Sequence, residues 1–335
     1  MLEFVQGLIK NGYAYETSKG IYFDISKLDK YPVLSNRKLD DQIAGARVDV
    51  DTEKKNPYDF ALWIKAPENH IMKWESPWGL SYPGWHIECS AMGRKYLGDQ
   101  FDIHTGGIDH IPTHHENEIA QSKGLTGKIP AKTWMHVEFL QVDGGKMSKS
   151  LGNTYILDQL QEKGIEPLAY KLFCFTAHYR TKLNFTFDTA LATQKALTRL
   201  REGFVKHQQG TENIDEQEIK EYENKFLETI NDDLNMPAAM GIVWEIVRNE
   251  HKSNHFAELL LKFDKVLGLD LENSKKYLEE SKNVELPEDI QDLIKKRKEA
   301  RENKDWSLSD QIRDELKEKG YIVKDTKEGM TIEKV

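Results

Sequence analysis

The spacing of apolar residues predicts a helix at the start of the chain, followed by several short strands. Residues 2–11 carry apolar side chains at helical spacing, and Gly12 would end that helix. Strand-like runs follow at residues 13–15 and 21–24, with a polar turn between them. A further apolar run at residues 59–63 predicts a strand that returns to the core.

The middle of the chain alternates between strand-like and helix-like patterns. Residues 101–104 form an apolar–polar run, and residues 134–142 predict a single buried strand. Residues 155–175 predict one or two helices. Cys174 lies in their apolar end, so we expect it to be a core thiol.

From residue 186 onward the pattern is helical and strongly charged. Apolar residues recur at helical spacing, and Asn235 before Met-Pro is a typical helix start, so this region is predicted to be a helix bundle. Residues 271–285 are polar and are predicted to be a linker.

The last fifty residues predict a small module of two helices and a β-hairpin. The helices are expected at residues 287–302 and 307–319, and the strands at residues 321–324 and 330–333.

Composition limits the classes of protein that the chain can belong to. Its 335 residues suffice for two or more domains, and a hydrophobic content of 39% is typical of globular proteins. We see no secretory signal and no apolar run near the ~18 residues of a membrane span. Two cysteines argue against a disulfide framework and indicate a reducing cytoplasm. With a net charge of −9, any nucleic-acid contact must use local patches.

The stretch G-W-H-I-E-C and the later T-H-H-E-N-E offer a metal site. On a helix, His114 and Glu118 at i and i+4 share one face, and with Cys89 they would supply three zinc ligands and leave one position open. The alternative is that Cys89 is a small buried apolar residue, and that His115 and Glu116 are ordinary surface groups.

Two further segments carry features of a nucleotide site. Gly106, Gly107 and Asp109 form a G-G-x-D turn that could approach a ligand closely and bind ribose hydroxyls, although a plain tight turn has the same letters. Lys146 and Lys149 in K-M-S-K-S lie between glycines, where their ammonium groups could close over phosphates. A generic surface loop is the alternative.

The terminal module carries features of a single-stranded nucleic-acid site. A basic helix with four cationic residues at 295–298 precedes Trp306, and together they could bind phosphate and stack a base. The alternative is a solvated charged hairpin with Trp306 as its small core.

These motifs together resemble the cysteinyl-tRNA synthetases, a family of class I aminoacyl-tRNA synthetases. K-M-S-K-S is the second class I signature, and G-W-H-I-E-C-S-A-M, H-H-E-N-E-I-A-Q and K-M-S-K-S-L-G-N occur in the family's order. The similarity runs through essentially the whole chain, including S-P-W-G near Ser76 and H-Y-R near His178.

The resemblance implies a fold in three parts. Residues 1–185 would be an α/β, partly Rossmann-like catalytic domain with a connective insertion at about 1–70. Residues 186–285 would be a helical bundle that contacts the tRNA stem. Residues 286–335 would be an α+β anticodon-binding module.

The resemblance also implies a reaction: cysteine and ATP, with Mg²⁺, form an adenylate, and the cysteine is transferred to tRNA(Cys). One Zn²⁺ per chain would bind the substrate thiolate and reject serine. The implied roles are zinc ligation by Cys89, His114 and Glu118, cysteine binding by Trp85 and His86, ATP binding by Gly106, Gly107, Asp109 and Lys149, catalysis by Lys146 and Lys149, and anticodon contacts by Arg301, Trp306, Asp310 and Asp325. Asp310 could instead be a capping-box acid for Ser307.

One family motif is absent from the sequence. No H-x-G-H occurs, and the family's first zinc-binding cysteine would precede it. We therefore expect a fragment that lacks the first strands of the parallel sheet, or one completed by a separate N-terminal chain. We expect it to show little adenylation alone, and to be monomeric if complete.

Two other functions remain open at this point. A ligase that joins cysteine to an amino sugar would share the zinc site and the lysine loop but would need no anticodon module. A non-catalytic fragment that binds zinc and tRNA would retain both ligands without exchange activity.

Overall fold

The computed structural model describes residues 1–35, 52–282, 288–319, 321–326 and 329–334. For residues 282, 288, 322, 324–326 and 329–334 it describes the backbone alone. Parts of the predicted insertion and linker lie outside the described residues. The chain forms two compact units, the first comprising residues 1–139 and 179–182 and the second comprising the remainder.

An antiparallel sheet with one helix packed on it opens the first unit. Apolar residues of the helix and of the two central strands, among them Val5, Leu8, Ile21 and Leu62, are fully buried together and form its core. The predicted helix and strands at residues 2–24 and 59–63 are confirmed. The elements are α1 (Leu2–Lys10), β1 (Ala14–Thr17), β2 (Gly20–Phe23), β3 (Phe60–Lys65) and β4 (Ser81–Pro83), and the strand order is β1-β2-β3-β4.

A βαβ unit follows and carries most of the chemistry. Its two strands pair in parallel, with Phe101 opposite Ala131 and Gly107 opposite Val137, and a helix connects them. Parallel strands need such a crossover connection, and strand, helix and strand together form a βαβ unit. The elements are α2 (Ile87–Leu97), β5 (Phe101–Gly107), α3 (Glu116–Thr126) and β6 (Ala131–Val137).

The prediction of one buried strand at residues 134–142 is wrong. The segment contains β6, which is partly exposed, and a separate strand β7 (Leu140–Val142) that lies in the second unit. Strand β6 pairs with β5, whereas β7 pairs with a strand near residue 184. Between them, the backbone N–H of Glu138 donates to the carbonyl of Tyr179 at 2.8 Å. Apolar runs cannot reveal such a change of sheet, since both strands have the same pattern.

The second unit begins with a small sheet and two short helices. Cys174 ends the second helix and is exposed, so its prediction as a core thiol is wrong. Leu172 and Phe173 face the core, and each residue turns by about 100° around a helix, which carries Cys174 off the buried face. The elements are β7, β8 (Gly145–Lys146), α4 (Leu157–Glu162), α5 (Pro167–Cys174) and β9 (Leu183–Phe185), with strand order β8-β7-β9.

The predicted helix bundle forms the centre of the second unit. Asn235 caps its third helix as predicted, accepting from the N–H of Ala238 at 3.3 Å. The linker prediction is wrong for residues 271–282, because Leu271 is buried and a helix follows it. The helices are α6 (Phe187–Gln208), α7 (Glu216–Asn231), α8 (Met236–Arg248), α9 (Asn254–Leu267) and α10 (Ser274–Lys282).

The predicted terminal module of two helices and a hairpin is confirmed. The cap of the second helix is Asp305, which accepts from the N–H of Leu308 at 3.0 Å, so the alternative of a capping box at Ser307 and Asp310 is wrong. The core combines Ile290, Leu316 and Tyr321 with their neighbours. The elements are α11 (Glu288–Glu302), α12 (Trp306–Glu318), β10 (Tyr321–Thr326) and β11 (Gly329–Lys334), whose strands are antiparallel.

Helices long and apolar enough to cross a membrane are absent from the described residues.

The buried His207 at the end of α6 predicts a pH-dependent stability of the bundle. Its Nε2 donates to the carbonyl of Ile246 at 2.8 Å, and its Nδ1 accepts from the N–H of Ser253 at 3.4 Å, so the neutral ring is fully bonded. Burial lowers its pKa below 6.5. Near pH 6.5 this histidine therefore binds a proton more readily in the unfolded chain than in the folded chain. The free energy of unfolding should fall as the pH drops below 6.5.

We expect the free energy of unfolding, measured with urea, to fall between pH 7.5 and pH 5.5. The fall should be larger for the unaltered chain than for His207→Gln. The difference should approach about 1 kcal/mol per pH unit at most. His255→Gln, at an exposed histidine, is the control and should leave the pH dependence unchanged. Equal pH dependence in His207→Gln and the unaltered chain would contradict the assignment.

Candidate metal centre and substrate sites

The position of Cys89 depends on a close contact between the backbone just before α2 and the backbone of β3. It is the third residue of α2 and is partly buried. Just before α2, Gly84 lies so near β3 that a Cβ there would contact the carbonyl oxygen of Ala61 and lie 2.9 Å from its carbon. A residue without a side chain is therefore needed to bring the start of α2 against β3.

His114 and Glu118 lie on a helical segment that is buried on every side. Residues Ile111–His115 form a π-helical turn that runs directly into α3. The Nε2 atom of His114 lies 2.7 Å from Oε1 of Glu118, as the i,i+4 spacing predicts. Helix α3 starts from this turn without a side-chain cap.

The structure brings the three predicted metal ligands together. The ligand atoms of Cys89, His114 and Glu118 all lie within 4.8 Å of one another. The alternative that His115 and Glu116 are surface groups is wrong, because they are exposed to only 1% and 0%. Glu116 instead accepts the backbone N–H groups of residues 33–35, at 2.7 Å for the first.

A second group of possible ligands shares Glu118. The ligand atoms of His104, His115 and Glu118 also lie within 4.8 Å of one another, with Nε2 of His104 at 3.2 Å from Oε2 of Glu118. His115 is oriented by His136, since its Nδ1 lies 2.8 Å from Nε2 of that ring. Sequence reasoning did not assign His104, His115 or His136, and the only signal was the density of histidines in this stretch.

The electrostatics of the cluster favour the metal-binding forms of several side chains. Burial raises the pKa of Glu118, but His104 and His114 more than offset this and lower it to about 2, so the carboxylate is ionised. Burial lowers the pKa of His115 to about 3, which keeps that ring neutral. His114 differs: burial lowers its pKa, but the adjacent Cys89 and Glu118 raise it overall to about 9, which favours the protonated ring, so a metal ion at this nitrogen must displace a proton.

Trp85 and His86, predicted to bind cysteine, differ in their surroundings. Trp85 is 55% exposed, and its ring centre lies 4.6 Å from that of His114. His86 is buried behind His114, with Nδ1 of one ring 3.0 Å from Nδ1 of the other. Asn117 contacts the far side of His86, a partner that sequence reasoning missed. The substrate roles of Trp85 and His86 stay predictions.

The predicted ATP residues of the first unit lie at the carboxyl end of β5. Gly106 packs against two imidazoles, because a Cβ there would lie 2.6 Å from Cε1 of His115 and 2.8 Å from Nδ1 of His110. Gly107 follows it, and the Asp109 side chain is exposed. Ligands of open α/β sheets bind beyond the carboxyl ends of strands. The nucleotide roles of these three residues stay predictions.

The lysine loop lies in the second unit and presents both ammonium groups to solvent. Strands β7 and β8 pair across a tight turn with positive φ at Asp143 and Gly144. Lys146 and Lys149 are exposed. Asn153 closes the loop, since its Oδ1 accepts from the N–H of Ser148 at 2.8 Å and its Nδ2 donates to the carbonyl of Lys146 at 3.0 Å.

The predicted anticodon residues of the terminal module include a partly exposed aromatic surface. Trp306 is 57% exposed, so the alternative that it forms the core is wrong. The Arg301 guanidinium lies 5.8 Å from the Trp306 ring centre. Asp310 pairs with Arg313 at 3.1 Å. The Asp325 side chain lies outside the described residues.

Comparison with known proteins assigns the class of this chain. Residues 1–196 match the family described as tRNA synthetases class I (C) catalytic domain, and residues 283–332 match the cysteinyl-tRNA ligase anticodon binding domain. The solved ternary complex of Agrobacterium radiobacter K84 agnB2 LeuRS with tRNA and LeuAMS superposes with a TM-score of 0.44 at 15% identity. It covers 64% of this chain and 34% of that one.

Curated relatives narrow the class to one family. Cysteine–tRNA ligase 1 of Burkholderia lata is 42% identical over 334 residues, which are 99% of this chain and 69% of the relative. Cysteine–tRNA ligase of Bacillus cereus is 41% identical over 350 residues, with 98% and 73% covered. The chain belongs to the cysteine–tRNA ligase family of class I aminoacyl-tRNA synthetases. The predicted fold class and family are confirmed, and the family catalyses cysteine activation and tRNA charging.

The close packing of Gly106 generates a matched pair of substitutions. In Gly106→Ala the new methyl group would collide with the rings of His115 and His110, and overpacking of this kind costs about 1–3 kcal/mol. In Gly107→Ala it would meet the end of the exposed Asp109 side chain, which can move away. We expect urea unfolding to show the loss in the first variant and a change within about 0.5 kcal/mol in the second. Equal stability of the two would contradict this packing.

Proposed function

We propose that this chain serves the ATP-dependent activation of cysteine and its transfer to tRNA(Cys), with Zn²⁺ selecting the substrate thiol. The observation that carries the proposal is the convergence of Cys89, His114 and Glu118, whose ligand atoms lie within 4.8 Å of one another. Their separation along the chain means that the fold, and not local sequence, assembles the set.

The donor set fits zinc chemically. Sulfur, imidazole nitrogen and carboxylate oxygen are the ligands that Zn²⁺ takes in proteins, and three protein ligands leave one position for a substrate. Oε1 of Glu118 is buried without a hydrogen-bond partner among the described residues, although it lies 2.7 Å from Nε2 of His114. The carboxylate oxygen and the imidazole nitrogen are therefore close together without the geometry of a hydrogen bond. Two ligands of one metal cation would be arranged in the same way.

A bound zinc ion supplies a soft partner for the cysteine thiolate, for which the serine hydroxyl is a poor substitute. The protein's own residues do the remaining work of binding. Trp85 is exposed beside His114, where its ring can cover the substrate side chain and exclude water. Gly106, Gly107 and Asp109 would hold the adenosine at the carboxyl end of β5.

Lys146 and Lys149 would bind the phosphates of ATP, whose Mg²⁺ accompanies them. Their ammonium groups are exposed on a loop that Asn153 closes, so positive charge can be placed on a developing pyrophosphate without reorganisation of the loop ends. Neither residue is engaged in a described ion pair that would have to break first.

The terminal module would bind the anticodon. Arg301 and the exposed Trp306 ring supply a cation and a stacking surface, and Asp310 and Asp325 are further proposed contacts. The match of residues 283–332 to an anticodon binding domain favours tRNA over an amino sugar as the acceptor. Both cysteines are unpaired, which agrees with a reducing cytoplasm as the place of action.

The metal proposal is tested by substituting each of the two cysteines in turn. With Co²⁺ as a spectroscopic substitute for Zn²⁺, the unaltered chain should show a thiolate-to-metal charge-transfer band, and added cysteine should strengthen it while serine should not. Cys89→Ala should lose the band and weaken metal binding by more than about 100-fold, since even outer partners of metal ligands contribute 10- to 100-fold.

Cys174→Ala is the matched control, because Cys174 is exposed on α5 and belongs to neither ligand group. It should retain the band, the affinity and the response to cysteine. A Cys89→Ala protein that binds metal like the unaltered chain would contradict the proposal, as would equal spectral responses to cysteine and serine.

The proposed stacking on Trp306 predicts a loss of tRNA affinity. Removing one aromatic platform costs about 1–3 kcal/mol per base, so Trp306→Ala should weaken binding of a tRNA(Cys) transcript by roughly 5- to 150-fold in a filter assay. Leu308→Ala, at an exposed apolar residue of the same helix, should change affinity less than about twofold. Equal effects of the two substitutions would show that the Trp306 ring is not a stacking surface.

A further inference from the structure

The predicted metal ligands lie on two different helical segments, and a buried hydrogen bond joins those segments beside them. Cys89 is on α2, whereas His114 and Glu118 are on the segment that runs into α3. Next to Cys89 in the chain, the Oγ atom of Ser90 lies 2.6 Å from Oε1 of Gln121 on α3. Ser90 is 6% exposed and Gln121 is fully buried. The distance from the sulfur to the other two ligands therefore depends on how α2 and α3 are held together.

Helix α2 has little apolar packing of its own. Of its eleven residues, all of which the structure describes, only Ile87 and Ser90 are buried. Two of its large apolar side chains, Met92 and Tyr96, are exposed to 52% and 73%. A helix of this length is usually held by an apolar face. A hydrogen bond at one of the two buried positions therefore provides a large part of what fixes α2.

The bond at Ser90 defines the rotation of α2 about its own axis. The backbone contact at Gly84 holds the start of the helix against β3, but a contact at one end does not by itself fix the rotation. Successive residues of a helix point about 100° apart, so a fixed direction for Ser90 also fixes the direction of Cys89. On α3, Gln121 follows Glu118 by three residues, which places both side chains on the same side of the helix.

The amide of Gln121 is bonded at one end only. Its Nε2 atom is buried and has no hydrogen-bond partner among the described residues. A buried amide group without a partner destabilises the fold, whereas an apolar side chain of similar size would not. A serine hydroxyl can donate or accept, so the bond to Ser90 is possible in either orientation of the amide. The residue at this position thus supplies a directional bond at some loss of stability.

We propose that Ser90 and Gln121 are positioning residues of the candidate metal centre. Their bond holds the Cys89 sulfur within reach of an ion that His114 and Glu118 also bind, and they act on the metal through Cys89. The inference deepens the proposed function and rests on the zinc site at these three ligands.

A double-mutant cycle on zinc affinity tests the positioning role. Ser90→Ala and Gln121→Leu should each weaken zinc binding roughly 10- to 100-fold, measured by competition with a chromophoric chelator, as for other outer partners of metal ligands. The double variant should bind zinc within about threefold of either single variant, because the two residues act through the same bond. Additive losses would overturn the proposal, since they would show two independent effects.

Stability in the absence of metal separates positioning from a role in folding. Each single variant leaves a buried polar group without its partner, so the midpoint of urea unfolding should fall. The double variant replaces both groups by apolar ones, so its midpoint should return to that of the unaltered chain or exceed it, while its zinc affinity stays low. Recovery of zinc affinity together with stability would overturn the proposal.

Ser122→Ala is the matched control. Ser122 is buried on α3 beside Gln121, and among the described residues no side-chain hydrogen bond joins it to α2. The variant should weaken zinc binding less than about threefold, well below the loss expected for an outer partner of a ligand. A loss as large as that of Gln121→Leu would overturn the proposal, because any buried polar group of α3 would then have the same effect.

The spectrum of the Co²⁺-loaded chain supplies a readout besides affinity. The double variant should keep a thiolate-to-metal charge-transfer band, because Cys89 is still present, but the band should shift because the sulfur approaches the metal from a different direction. An unchanged band together with unchanged zinc affinity overturns the positioning role, while the band itself still supports the proposed function. An unaltered chain that binds neither Co²⁺ nor Zn²⁺ overturns both.

Discussion

A single buried carboxylate organises the first unit. Glu118 is 2% exposed, and an isolated charge at such a position would cost several kcal/mol. Its two oxygens lie 2.7 Å and 3.2 Å from imidazole nitrogens of His114 and His104, which together stabilise the ionised form. Because His104 lies on β5 and His114 in the turn before α3, the carboxylate joins strand and helix at the point where the candidate ligands meet.

The polar packing of α3 follows from this requirement. Glu116 accepts backbone N–H groups from residues 33–35, Asn117 contacts Tyr31 and His86, and Gln121 accepts from Ser90 at 2.6 Å. Most members of this buried polar network have partners, and such partnered groups define one arrangement. Helix α3 therefore holds the candidate metal centre through directional bonds, where most helices of its size use an apolar face.

The second unit uses a different means of support. Its bundle is built on a continuous apolar core that includes Leu200, Phe204 and Phe263, and its charged lysine loop lies on the surface. Arg201 is buried at 2% exposure, where it forms two hydrogen bonds with Glu166 and stacks on Tyr277 with 4.0 Å between the guanidinium and the ring centre. This contact ties α5 and α10 to α6. The second unit thus has an apolar core and a charged loop on its surface, while the first unit builds its candidate site from buried polar groups.

The sequence by itself determined the family, most helix positions and the i,i+4 pair of His114 and Glu118, because periodicity and motifs are local properties of the chain. It was wrong at residues 134–142, at Cys174 and at the predicted linker, where burial depends on which element lies opposite. Only the tertiary structure decided that Cys89 meets the pair, that His104 and His115 share Glu118, and that Asn117 and Tyr31 stand behind His86. These contacts join residues far apart in sequence, and no local pattern encodes the partner of a buried polar group.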